Sequence, residues 1–128
     1  MLAVSFQAYS QGSQKPQDDE VYVKVEQPPV LPEGIASFYK YVNENMEYPI
    51  NSRKEGIEGR VYVEFIIDEY GEIVPNSVKT VKGLNEEMNK EGERLIQGMQ
   101  RWIPGRLHKG GDAVKVRMVL PVVFKLPR

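Results

Sequence analysis

The sequence of 128 residues contains no cysteine, which excludes disulfides and thiolate metal sites and fits either a reducing compartment or a secreted protein without bridges. Histidine is nearly absent: His108 stands alone in a Gly/Lys-rich stretch, without the partners of a metal cage or a Ser-His-Asp triad. A formal net charge of -1 provides no field to gather phosphates, so nucleic acid or an anionic bilayer is not the expected principal partner. No apolar run approaches the ~20 residues of a membrane span. Gly105, Gly110 and Gly111 lack the strand, loop and helix spacing of a phosphate-binding loop. Carboxylate pairs such as Glu64 with Asp68, or Glu91 with Glu93, read as charged solvent faces rather than acid/base couples. The expectation is a protein that is not an enzyme and holds no cofactor or metal.

What is present is an ordinary globular composition, 41% hydrophobic and 27% charged, at a length suited to one core. Residues 1–6 are mostly apolar and precede Ala8-Tyr9-Ser10, a small-x-small pattern like the tail of an export signal. Residues 11–20 are polar and aperiodic, which predicts a disordered leader, so the domain is placed at residues 21–128. Val21, Val23 and Val25 alternate with polar neighbours as in a short strand, ended by Pro28, Pro29 and Pro32.

Ile35, Phe38, Val42 and Met46 form the stripe of a helix starting near Gly34. Tyr48-Pro49 opens a second, two-turn helix, with Gly56 suited to its left-handed cap. Val61, Val63, Phe65 and Ile67 mark one face of a strand over residues 59–68. Residues 68–71 form a tight turn, and a return strand follows through Ile73, Val74, Val78 and Val81, with Pro75 predicting a bulge or an edge. Asn85 caps a third helix that carries Met88, Leu95, Met99 and Trp102 on one face and is stopped by Pro104-Gly105. After Gly110-Gly111, the apolar positions Val114, Val116, Met118, Leu120, Val122, Phe124 and Leu126 describe a long amphipathic strand. The sum is an α+β domain: a small antiparallel three-stranded sheet plus a short N-terminal strand, with two helices and a short helical turn on one face.

Pro121 interrupts an otherwise strong strand, and proline is confined to edges or bulges, so the terminal strand is expected at an edge. Backbone groups that face outward share the parity of Pro121, which selects Lys115, Arg117, Val119 and Val123. A visiting strand would find donors at Lys115, Arg117 and Val119 and lose one at Pro121, so pairing is expected to centre before the proline. Cations at Lys115, Arg117 and Lys125 serve either recognition or protection against aggregation. Residues 21–26 offer a rival use of the edge, as the chain's own added strand or as one exchanged between two copies in a homodimer.

The ordered set Tyr48-Pro49, Gly56-Ile57-Glu58-Gly59-Arg60-Val61, residues 68–71, Trp102-x-Pro104-Gly105 and Leu120-Pro121-x-x-Phe124 resembles the C-terminal domain of TonB energy transducers. The resemblance spans about residues 21–126. It implies a periplasmic module that grips the TonB box, an extended peptide of outer-membrane transporters, as a strand beside its last strand. It also implies that Tyr48-Pro49 flanks the peptide. Glu47 stands where some members have Gln, and a carboxylate accepts hydrogen bonds but cannot donate them as an amide does. The expected peptide-binding set is therefore Glu47, Tyr48, Pro49, Lys115, Arg117 and Val119. The family's transducers carry a membrane helix and a proline-rich spacer that this sequence does not show, so binding is expected rather than energy transduction by the chain alone. The alternative is a structural or self-associating domain of the same fold.

Overall fold

A computed structural model describes residues 20–127. The export-signal-like start and residues 11–19 of the polar leader lie outside the described residues.

The elements run β1 (Val21–Tyr22), α1 (Ile35–Asn45), α2 (Ile50–Lys54), β2 (Gly59–Ile67), β3 (Lys79–Lys82), α3 (Glu86–Gln97), β4 (Gly105–Arg106) and β5 (Ala113–Phe124). The sheet order is β1-β5-β2-β3, and β4 pairs with the start of β5. β2 lies antiparallel to both β5 and β3, whereas β1 is parallel to β5.

Period-two patterning builds the centre of this sheet. Val61, Val63, Phe65 and Ile67 of β2 are all fully buried, as are Val122 and Phe124 of β5 to within 1%. Phe38 and Val42 of α1, and Met88, Leu95 and Ile96 of α3, close the same face. Burying each such side chain contributes about 1.5–3 kcal/mol, so the apolar spacing is what places both long helices on one side of the sheet. Ile35 departs from the expected stripe, being 52% exposed in the first turn of α1.

Turn chemistry fixes the β2 exit. Asp68 Oδ1 accepts the N–H groups of Tyr70 and Glu72, both at 2.9 Å, and Gly71 adopts φ 85°. A Cβ on Gly71 would lie 1.9 Å from the Trp102 carbonyl oxygen, so glycine is required by close approach as well as by its backbone angle. The return segment differs from the expected strand through Ile73, Val74, Val78 and Val81: Ile73 makes an isolated bridge to Ile67, Pro75–Ser77 is a 3-10 turn, and the strand is confined to Lys79–Lys82. There the register against β2 shifts between Tyr62 and Val63, opposite Val81 rather than at the proline.

Three further sequence expectations need correction. The N-terminal strand pairs over Val21–Tyr22 alone, because the chain then crosses to a ribbon in which Gln27 pairs with Arg106 and Val30 with Ile103. The third helix ends at Gln97 rather than at Pro104-Gly105, with Gly98 donating its N–H to the Arg94 carbonyl. Trp102 is buried to 4% from an extended segment instead, held where its N–H meets the Gly71 carbonyl at 2.8 Å and Ile103 N–H meets Val30 at 2.7 Å. Finally, Gly105 and Arg106 are not only a stop but a strand, β4, against Val114 and Ala113.

Candidate functional site: the outer flank of the terminal strand

The direction of each backbone group on β5 follows from its partner across β2. Ile66 donates its N–H to Ser77 Oγ at 2.9 Å and accepts the Val74 N–H at 2.9 Å, so both its groups point away from β5. Ile66 is in register with Arg117, which therefore occupies a non-hydrogen-bonded position and turns its own N–H and C=O to the outer flank. Alternation then sends the groups of Lys115, Val119, Pro121 and Val123 the same way. Pro121 sits opposite Tyr62, so the N–H it lacks would have faced outward and costs the inner ladder nothing.

Part of this flank is already covered. Val21 pairs with Lys115 and Tyr22 with Val116 in parallel. Given the outward parity of Lys115, this register uses the Lys115 N–H and C=O against Glu20 C=O and Tyr22 N–H, and the Arg117 N–H against Tyr22 C=O. Beyond that point no described residue pairs with the flank. The outward groups left are the carbonyls of Arg117 and Pro121 and the N–H and C=O of Val119 and Val123. From Arg117 to Val123 this edge runs about 20 Å. Val119 and Val123 are 48% and 38% exposed.

The motif residues lie elsewhere. Pro49 is the N-cap of α2, and Glu47, Tyr48 and Pro49 line a shallow cleft of about 410 Å³ against α3. The Tyr48 ring meets Phe124 edge-on, 5.5 Å between centroids, and its hydroxyl donates to the Ile57 carbonyl. Burial first, and Glu58 second, raise the Tyr48 hydroxyl above the ordinary tyrosine pKa. Tyr48 therefore abuts the C-terminal end of β5, about 23 Å along the strand from Arg117 at ~3.3 Å per residue. The six expected residues do not form one cluster: Glu47, Tyr48 and Pro49 line the cleft against α3, with Tyr48 reaching the end of β5 through Phe124, whereas Lys115 and Arg117 lie at the end covered by β1 and Val119 beyond it.

A buried carboxylate holds the motif in place. Glu91, only 8% exposed, accepts the Glu47 N–H at 2.6 Å and both Nε and Nη2 of Arg94, at 2.7 and 2.8 Å. Arg94 also donates to the Asn45 carbonyl at 2.9 Å, which ties α3 to the end of α1. The bond to Glu91 holds the guanidinium firmly protonated. Glu91 is thus a structural acceptor rather than part of a solvent face, and so is Glu93, whose Oε2 takes the Thr80 N–H and hydroxyl. The Glu91-x-x-Arg94 spacing, which puts both groups on one side of a helix, was the available signal.

The opposite face of the sheet carries the side chains of Arg60, Tyr62, Glu64 and Ile66 from β2 beside Arg117, Val119 and Val123 from β5. Lys79 and Arg117 approach Glu64 Oε2 at 3.7 and 3.4 Å, and Lys82 Nζ stands 5.9 Å from the centre of the Tyr62 ring.

Comparison with known proteins adds to this geometry. The family model for the Gram-negative bacterial TonB protein C-terminal matches residues 44–126. The chain is similar in fold to the solution structure of the Helicobacter pylori TonB C-terminal domain, with TM-score 0.52 and 20% identity over 73% of this chain and 81% of that one. A Pseudomonas aeruginosa TonB C-terminal domain matches at TM-score 0.44 and 26% identity, over 66% of this chain and 81% of that one. No curated protein sequence gives a match. With the family model covering residues 44–126 of 128, this chain belongs to the TonB C-terminal family.

Proposed function

We propose that the chain is a periplasmic, non-catalytic binding module that takes an extended segment of an outer-membrane transporter, its TonB box, as an added strand on the outer flank of β5. The observation that carries this reading is the run of outward, unpaired backbone groups from the Arg117 carbonyl to Val123. The footprint sits later than the sequence suggests, around the proline rather than before it, because β1 takes the outward groups of Lys115 and the Arg117 N–H. At about 0.5–1.5 kcal/mol net for each backbone hydrogen bond, the six outward groups hold a guest only weakly before ordering costs. Side-chain contacts of the guest must supply the rest, and the half-buried Tyr48 ring, packed edge-on against Phe124, is the aromatic side chain nearest the far end of the strand.

The test is titration of the full chain with peptides copied from transporter N-termini, followed by amide chemical shifts. Movement of Val119, Val123 and Tyr48 is expected. A silent spectrum in the monomeric protein overturns the reading.

The β1 pairing favours a second reading, in which the edge serves the chain itself or a second copy. Tyr22→Pro removes an N–H that faces Lys115, whereas Val21→Pro removes one that faces away from β5. Under peptide binding, Tyr22→Pro extends the guest footprint to Lys115 and Val21→Pro leaves it unchanged. Under self-association, neither variant binds peptide and sedimentation shows dimers that depend on concentration.

A further inference from the structure

The sheet face turned away from the helices has a different character from the rest of the molecule. Its centre is apolar and aromatic, with Tyr62 opposite Pro121 and with Val119 and Val123 on the neighbouring strand. Its rim is cationic: Arg60, Lys79, Lys82 and Arg117 stand around that centre. Among the described strand residues of β2, β3 and β5 that share this face, Glu64 is the carboxylate, and Lys79 and Arg117 already converge on it. Arg60 and Lys82 are left without a carboxylate among the described ion pairs, and Lys82 rests over the Tyr62 ring instead.

Arg117 is itself under-satisfied. Its Nε is buried and makes no hydrogen bond, although Glu64 Oε2 lies 3.4 Å away. The Arg117 side chain is nevertheless 40% exposed, so its charge stays within reach of a further carboxylate on this face. The whole chain carries a formal charge of -1, so the positive excess on this face is a separation of charge rather than a reflection of composition. An apolar centre within a polar, charged rim is the usual anatomy of a protein interface.

We infer that this open sheet face, centred on Tyr62, docks an acidic polypeptide segment. Carboxylates on such a segment pair with Arg60, Lys82 and Arg117, and its apolar side chains cover Tyr62, Val119 and Val123. The surface borders the β5 edge, since Val119 and Val123 belong to both, but it acts through side chains and does not need strand addition.

The experiment uses the full chain and two unstructured probes, a Gly-Ser-Glu repeat peptide and its Gly-Ser-Gln counterpart, each titrated at low salt and at about 0.15 M salt. The Glu peptide is expected to shift Arg60, Tyr62, Lys82 and Arg117 and to weaken with salt, with no response to the Gln peptide. Reversing Arg60→Glu together with Lys82→Glu weakens the Glu peptide about tenfold or more, from two surface pairs lost and two repulsions gained. Lys54→Glu on α2, on the helix side, is the control and leaves affinity unchanged. Equal response to the Gln peptide, shifts that map off this face, or undiminished binding by the double variant overturns the inference. So does binding to anionic vesicles by a chain that ignores the Glu peptide. Because peptide addition at the edge is read from Val119 and Val123 amides and this docking from charge dependence, failure of one does not imply failure of the other.

Discussion

Replacing Glu91 with alanine tests how the Tyr48-Pro49 segment is held. The carboxylate accepts hydrogen bonds from the Glu47 N–H and, twice, from Arg94, at 2.6 to 2.8 Å. Removing one partner of a fully buried pair costs about 3–5 kcal/mol, most of it for stranding the other charge. Here Glu91 is 8% exposed but the Arg94 side chain is 48% exposed, so water rehydrates the guanidinium once its partner has gone. The Glu47 N–H loses a charged acceptor at the same time, a loss of about 1.5–3 kcal/mol when it is not replaced. The combined expectation is a destabilisation of roughly 2–3 kcal/mol, or a fall in Tm of about 7–13 °C for a domain of this size. Glu91→Gln keeps one acceptor oxygen and should lose about half as much. Urea unfolding with an unchanged m-value measures both variants, and amide shifts of Glu47 and Tyr48 report whether the segment moves. A loss below about 0.5 kcal/mol for Glu91→Ala, the range of ordinary surface substitutions, would refute the reasoning.

Asn85→Ala removes a cap in which Oδ1 accepts the Met88 N–H at 2.8 Å and Nδ2 donates to Ser52 at 3.1 Å, so denaturant melts should show a loss of about 1–2 kcal/mol. Gly71→Ala combines a positive φ with a Cβ 1.9 Å from a backbone oxygen and should cost more than about 2 kcal/mol, or prevent folding, as seen by circular dichroism. Burial raises the hydroxyl pKa of Tyr41 and Tyr48 above 10.0, so the fold favours their protonated forms. That stabilisation is fully present below the unfolded tyrosine pKa and is lost as pH rises through the folded values. Ultraviolet titration of tyrosinate should therefore lag behind free tyrosine and then coincide with alkaline unfolding.

Periodicity reveals faces, and it did so dependably here. Val61, Val63, Phe65 and Ile67 alternate in the sequence and are all buried, and the Asn85 cap and the Asp68 to Gly71 turn follow from local chemistry that needs no distant partner. Neighbours across the sheet are another matter, because spacing along a chain carries no information about which strand lies beside which. The parallel register of Val21 with Lys115, the ribbon from Gln27 to Arg106, and the departure of Trp102 from its helix are all set by contacts between segments distant in sequence. For the same reason the parity of the outward groups on β5 was readable from Pro121, while their partial occupation was not. Glu91 shows a related limit: a charged residue on a helix reads as solvated until the second element that buries it is known.

Amide hydrogen exchange along β5 in the free, monomeric chain tests the central claim most directly. The account predicts slow exchange at Met118, Leu120, Val122 and Phe124, which face β2, slow exchange at Lys115 and Arg117 beneath β1, and fast exchange at Val119 and Val123. Protection of Val119 and Val123 equal to that of their neighbours, with no guest present, would contradict it.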